Sequence, residues 1–150
     1  MFLKTRVHDD LKAAMRAGDT RRRDALRLLL AALKQREIDD RRPLEDSGVI
    51  AVIEKMIKQR RDSVEQFEKG GRQDLANQEN FEVGVLQTYM PTAMGEEEID
   101  AAVAAVLAEA GASSPADMGK VMAALKPRLA GRADMAKVSV LVRARLAGER

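Results

Sequence analysis

The C-terminal part of the chain carries basic side chains whose number and spacing suit the binding of phosphate groups. Residues 118–150 contain eight Lys or Arg residues and two acids, and the stretch LKPRLAGRADMAKV at 125–138 places four of the eight around a proline and a glycine. Such side chains, next to free N–H groups at a helix start, can hold a phosphodiester backbone. The alternative is a solvated helix face, which the scarcity of acids makes less favourable. The candidate nucleic-acid-binding residues are Lys120, Lys126, Arg128, Arg132, Lys137 and Arg143.

A second basic cluster lies near the N terminus. Arg21 and Arg22 precede Arg23, and Arg23, Arg27 and Lys34 fall on one side of a helical segment. Basic residues at a helix start oppose the helix dipole, so local helix stability does not explain them. A binding surface and a solvated face are equally good explanations for this cluster.

Residue types that could support catalysis or bind a metal are scarce. The chain has no cysteine and one histidine, His8, which excludes a cysteine nucleophile, thiolate zinc sites and sites with two histidines. The pair Gly70-Gly71 follows a helical segment and lacks the Lys-Ser/Thr ending of a phosphate-binding loop. The run Glu96–Glu98 favours a helix start over a metal site, because the helix dipole attracts acids there. We therefore predict no catalysis by this chain alone, no cofactor and no metal.

Helices must position these side chains, because every long segment has helical period and none alternates as a strand does. With 45% hydrophobic, 3% aromatic and 33% charged residues, the composition is typical of packed amphipathic helices. We predict an all-α, multihelical fold with a four-helix N-terminal bundle at 1–92 and a three-helix C-terminal bundle at 93–150. The predicted helices lie at about 3–17, 19–38, 48–69, 72–90, 96–110, 115–127 and 134–146.

Three local features refine this architecture. The second helix is apolar on two sides, which predicts a central helix sandwiched between neighbours. Pro127 should bend or stop the sixth helix, Gly131 should adopt a left-handed conformation after it, and Asp134 should cap the seventh. The fifth helix lies in a block, 93–117, with six acids and no base.

Two charges interrupt otherwise apolar stripes on the third and fourth helices. A tight antiparallel hairpin about Gly70-Gly71 would bring Arg60 opposite Glu82. We predict a shielded ion pair between them that sets the hairpin register.

No apolar run approaches the length of a membrane span, and the start MFLKTRVHDDLK lacks the apolar region of a signal peptide. These features predict a soluble cytoplasmic protein without a membrane partner, and we favour a monomer.

Four segments resemble known proteins, and together they cover essentially the whole chain. The segment DMGKVMAALKPRLAGRADMAKVSVLVRARL at 117–146 resembles the tail domain of the B subunit of the tRNA-dependent amidotransferase. That tail carries a Gly-x-x-Met segment and a Gly-basic-Ala-Asp turn between two short helices. The stand-alone GatB/YqeY-domain proteins are similar to AMRAGDTRRRDALRLLLAALKQREID (14–39), KQRRDSVEQFEKGGRQDLANQE (58–79) and LQTYMPTAM (86–94).

The resemblance implies an all-helical fold of a four-helix bundle and a three-helix bundle. In the amidotransferase, the tail holds the tRNA body while other domains perform transamidation, and the family is classed with carbon–nitrogen ligases that use glutamine as nitrogen donor. We therefore predict a non-catalytic tRNA-binding accessory protein linked to that amidotransferase. The alternatives are a protein–protein adaptor without a nucleic-acid role and, third, a catalytic amide ligase. By position, the tail motif falls on Gly119, Lys120, Met122, Gly131, Arg132 and Asp134.

Overall fold

The computed structural model describes residues 2–148, and within that range the chain is all-α, as predicted, with no strand. A short 3-10 turn, Pro115–Asp117, precedes the sixth of seven α-helices. The helices are α1 (Leu3–Ala17), α2 (Thr20–Asp40), α3 (Asp46–Lys69), α4 (Gln73–Gln87), α5 (Glu96–Ala110), α6 (Met118–Leu129) and α7 (Met135–Leu146).

The chain divides into two compact units, Met1–Met90 and Pro91–Arg150. The division falls two residues before the boundary predicted at 92. It separates α1–α4 from α5–α7. That each unit folds as an independent bundle remains a prediction, because compactness alone does not establish independent folding.

Unit 1 is built around the apolar faces of four helices. α2 packs against α1, α3 and α4, and α3 packs along α4. On α3 the buried face includes Val49, Val52, Ile53 and Ile57, while Ile50 is only half-buried. The most deeply buried side chains of this core are Val7, Leu26, Leu29, Leu33, Val49 and Ile53.

The predicted ion pair between α3 and α4 is present. A guanidinium nitrogen of Arg60 lies 2.7 Å from a carboxylate oxygen of Glu82 and 3.1 Å from one of Glu79. The Arg60 and Glu82 side chains are 20% and 12% exposed. Their pairing confirms the hairpin register that the two interrupted stripes indicated.

The prediction of a fully sandwiched α2 is wrong in part. Three helices pack on one side of α2, but Leu28 is 48% exposed and Ile38 is 59% exposed. The neighbours gather around the side that carries Leu26, Leu29 and Leu33, because that side holds the larger apolar area. The opposite side therefore remains open to solvent.

Unit 2 consists of α5, α6 and α7 around a separate core. α6 packs against both other helices of the unit. The helix ends at Leu129, two residues after Pro127, close to the predicted stop. None of the helices within residues 2–148 is both long and apolar enough to cross a membrane. The fully buried side chains of this core include Val103, Val106, Val121, Leu125, Leu129 and Val138.

Candidate nucleic-acid interface

The corner between α6 and α7 has the backbone that the sequence indicated. Gly131 adopts φ 73°, a left-handed conformation that costs glycine little because it has no Cβ. The N–H groups of Arg132 and Ala133 both donate to the Leu129 carbonyl, at 2.9 and 3.2 Å, and so satisfy the end of α6. Asp134 is the N-cap of α7, as predicted.

The start of α7 is less open to a phosphate than expected. An Asp134 carboxylate oxygen accepts a hydrogen bond of 2.9 Å from the Ala136 N–H. A carboxylate therefore already occupies the position where the helix dipole would attract a phosphate oxygen. Any phosphate contact at this corner depends on the cationic side chains instead.

The basic residues of α6 and α7 lie beside the acidic helix α5. Three ion pairs join basic residues of α6 and α7 to acids of α5. Because the paired side chains are half-exposed, each pair stabilises the unit by only about 0–1 kcal/mol. They nevertheless cancel much of the positive charge locally. The three ion pairs are Arg128–Glu109 at 2.6 Å, Arg132–Glu98 at 3.4 Å and Arg145–Asp100 at 3.7 Å.

Two of the candidate residues, Lys120 and Arg132, donate side-chain hydrogen bonds to backbone carbonyls. The ammonium of Lys120 donates to the Ala110 carbonyl at 2.9 Å, which caps the C terminus of α5. The Nε of Arg132 donates to the Thr92 carbonyl at 2.8 Å, and the Met94 N–H donates to the Arg132 carbonyl at 2.9 Å. Arg132 therefore ties the segment before α5 to the corner, and its primary contacts are structural.

The remaining three candidate residues are differently placed. Lys126 on α6, and Lys137 and Arg143 on α7, are exposed. Among residues 2–148, none of the three side chains forms an ion pair or a side-chain hydrogen bond. The six predicted residues thus separate into three engaged side chains and three that are available to a ligand.

The motif residues Gly119, Met122, Gly131 and Asp134 differ in their surroundings. Gly119 is exposed on α6, and a Cβ added there would meet no atom within 4 Å. Met122 packs against the core of unit 2. Gly131 and Asp134 shape the corner, whereas nothing in the structure requires a glycine at position 119.

The capping box before α6 holds a carboxyl group with a perturbed pKa. Asp117 accepts hydrogen bonds from the N–H groups of Ser113 and Ser114, at 3.0 and 3.3 Å. These bonds favour the carboxylate and lower the pKa of Asp117 below its usual value. In the part of the chain that the structure describes, no group of three or more His, Asp or Glu side chains is arranged to hold a metal ion.

The fold and this surface define a class: an all-α protein of two helical units, the second with a partly neutralised basic corner. The family model described as Yqey-like protein matches residues 4–146, so the chain belongs to the YqeY-like family. This confirms the resemblance to the stand-alone GatB/YqeY-domain proteins.

Curated relatives carry the name Altered inheritance of mitochondria protein 41, mitochondrial. The relative from Eremothecium gossypii is 41% identical over 95 residues, which are 61% of this chain and 52% of the relative. The relative from Lachancea thermotolerans is 39% identical over 110 residues, 71% of this chain and 58% of the relative. The relative from Pyrenophora tritici-repentis is 33% identical over 129 residues, 82% of this chain and 71% of the relative. This chain therefore spans little more than half the length of the first two relatives.

These names contradict the predicted cytoplasmic location, which is wrong on this comparison because the relatives are named as mitochondrial proteins. The prediction rested on the absence of apolar segments. A water-exposed helical protein has the same composition in either compartment, so that observation does not distinguish them.

Proposed function

We propose that this chain is a non-catalytic accessory protein that binds tRNA through the phosphate backbone, with α6 and α7 of unit 2 as the contact surface. The observation that carries the proposal is the exposure of three cations, Lys126, Lys137 and Arg143, without an acidic partner among residues 2–148. Cations in this state can release counterions from a nucleic acid without first breaking an ion pair.

The similarity of 117–146 to the amidotransferase tail supports tRNA as the nucleic acid, and supports a link to tRNA-dependent amidotransferase. The engaged residues Arg128 and Arg132 contribute less in this proposal, since a phosphate must compete with Glu109 and Glu98 for them. Binding should therefore be moderate in strength, strongly dependent on salt and similar for different tRNA sequences, because phosphate contacts position a protein without specifying sequence.

The test is a titration of labelled tRNA at several salt concentrations with the parent and the variant Lys126→Glu, Lys137→Glu, Arg143→Glu. Each neutralised phosphate contributes about 0.7–0.9 to the salt slope, so the variant should lose about two to three units of slope. Arg132 is left intact because its replacement would break the bond to the Thr92 carbonyl and place an acid beside Glu98.

A matched control carries the same charge change on α3: Lys55→Glu, Lys58→Glu and Arg61→Glu, three positions that are also exposed. The control should keep most of the affinity, and both variants should melt near the parent temperature. Equal binding by the parent and the α6–α7 variant would refute the proposed surface. An amide product formed from glutamine by the purified chain would refute the non-catalytic part.

A further inference from the structure

The outward side of α2 presents a helical seam that no other helix of its unit covers. Leu28, Ala31, Gln35 and Ile38 follow one another at steps of three, four and three, the spacing of a coiled-coil core. Leu28 and Ile38 are 48% and 59% exposed, and Ala31 is exposed between them. The apolar row of Leu28, Ala31 and Ile38, interrupted by the polar Gln35, faces solvent and is suited to a second helix.

Positive charge lies along one edge of this seam. Arg27 and Lys34 each precede a seam position by one residue, which is the place where coiled coils form ion pairs between helices. Next to Lys34, a groove of about 410 Å³ lies along the contact between α1 and α2, and Lys4 and His8 line it on the α1 side. Within residues 2–148, Arg27 and Lys34 form no ion pair, whereas Lys4 is bound to Glu37 at 2.7 Å.

Near the seam, Asp24 and Glu37 are paired with cations. Asp24 pairs with Arg23 at 3.0 Å, and Asp39 accepts a hydrogen bond of 2.9 Å from Gln35. Hydrogen bonds from the Lys4 ammonium and the Leu44 N–H lower the pKa of Glu37. The Glu37 carboxylate is therefore paired with Lys4 and does not neutralise Arg27 or Lys34. The charge at the edge formed by Arg27 and Lys34 is therefore positive, whereas Asp39, whose partner Gln35 is neutral, keeps its negative charge on the opposite edge.

We infer that this α2 seam docks an amphipathic helix of a partner protein whose apolar stripe is flanked by Asp or Glu. The apolar row would bury against the stripe, and Arg27 and Lys34 would pair with the acids. RNA fits less well, because a charged phosphate backbone makes no favourable contact with the exposed Leu28 and Ile38. In addition, no exposed aromatic ring on α2 can stack on a base. This inference concerns unit 1 and does not depend on tRNA binding by unit 2.

A second copy of the chain is also less suitable. Two antiparallel α2 helices would bring the like charges of Arg27 and Lys34 together across the seam. In a parallel pair, Arg27 would face Ala32, so only Lys34 would gain an acid, Asp39. Charge complementarity thus favours a different, acidic helix.

The probe is a labelled synthetic peptide of about three heptads with Leu at the core positions and Glu at the flanking ones. Fluorescence anisotropy with the full chain should give a Kd below about 100 µM. A peptide of the same composition, permuted so that Leu no longer forms a stripe, should bind at least about tenfold more weakly. A peptide with Lys in place of Glu should do the same.

Two variants test the two halves of the site. Leu28→Ser with Ile38→Ser removes the apolar row, and Arg27→Glu with Lys34→Glu reverses the charged edge. Each should weaken binding by about tenfold or more, and only the second should flatten the salt dependence. All four positions are exposed, so circular dichroism should show parent-like folding.

The controls are Val140→Ser, an exposed apolar residue on α7, and Lys55→Glu with Lys58→Glu on α3, all expected to bind like the parent. No binding by the parent, or equal binding by the α2 variants, overturns the inference. So does displacement of the peptide by tRNA in a manner that requires Arg27 and Lys34. Self-association that is lost in the Leu28→Ser, Ile38→Ser variant would assign the seam to a second copy instead.

Discussion

Replacement of Arg60 by Met should destabilise unit 1 more than any single change to the acids that Arg60 holds. Arg60 projects from α3 between two carboxylates of α4, at 2.7 Å from Glu82 and 3.1 Å from Glu79. The Arg60→Met variant keeps most of the side-chain volume but leaves both carboxylates facing each other without a cation. The Glu82→Gln variant leaves Arg60 with Glu79 as its partner.

The structure allows the magnitudes to be estimated. Removing one partner of a buried ion pair costs about 3–5 kcal/mol. The Arg60 side chain is 20% exposed, so water partly screens the two acids and the cost should be near the low end, about 3 kcal/mol. In Glu82→Gln the amide oxygen can still accept from Arg60, which Glu79 still neutralises, so the loss is the difference between a charged and a neutral hydrogen bond, about 1–2 kcal/mol. The two single variants should thus differ by about 1 kcal/mol or more.

Urea unfolding followed by far-ultraviolet circular dichroism measures these differences. Arg61→Met is the control, since the neighbouring Arg61 is exposed, and it should change the free energy of unfolding by less than about 0.5 kcal/mol. The double variant Arg60→Met, Glu82→Gln should cost less than the sum of the single ones, because the second change removes a charge that the first left unpaired. Equal losses for the two single variants, or losses no larger than that of Arg61→Met, would refute the argument that Arg60 is the shared partner.

Two further predictions concern titratable groups. Tyr89 is buried and its hydroxyl donates to Asp10 at 2.5 Å, so Tyr89→Phe should cost about 1–2 kcal/mol at neutral pH. Burial and Asp10 raise the pKa of Tyr89 above its usual value of 10.0. Above that pH the unfolded chain loses the tyrosine proton before the folded chain does, so the parent should lose stability as the pH rises. Thermal melts should show a smaller loss for the Phe variant. Asp117→Asn should remove the acid sensitivity of the cap. Because the folded protein lowers the pKa of Asp117, the carboxylate stabilises the fold fully at pH values above 3.8, the pKa in the unfolded chain, and this stabilisation is lost as the pH falls below 3.8. A parent and Asn variant with the same dependence of melting temperature on pH between 7 and 3 would contradict this second prediction.

The helices follow from the sequence because their determinants are local. The bounds predicted for α1 and α5 are those observed, since a glycine in a left-handed conformation ends each helix within hydrogen-bonding reach of its last turn. α4 ends at Gln87, before the predicted residue 90, because the chain must leave the helical conformation ahead of Pro91. Even one long-range contact could be predicted, because the short turn after α3 determines which residues of α4 can face Arg60.

Charge pairing and exposure were decided only by the tertiary structure. The acidic segment with α5 and the basic segment with α6 and α7 were two separate features of the sequence, but packing places Glu109 beside Arg128 and Glu98 beside Arg132. Likewise, the pattern of α2 showed two apolar sides without indicating which one the neighbours would leave open. Both outcomes depend on how helices far apart in the chain are oriented around a shared core. Helical periodicity records which residues share a face, whereas the partner of that face is selected by the packing of the whole unit.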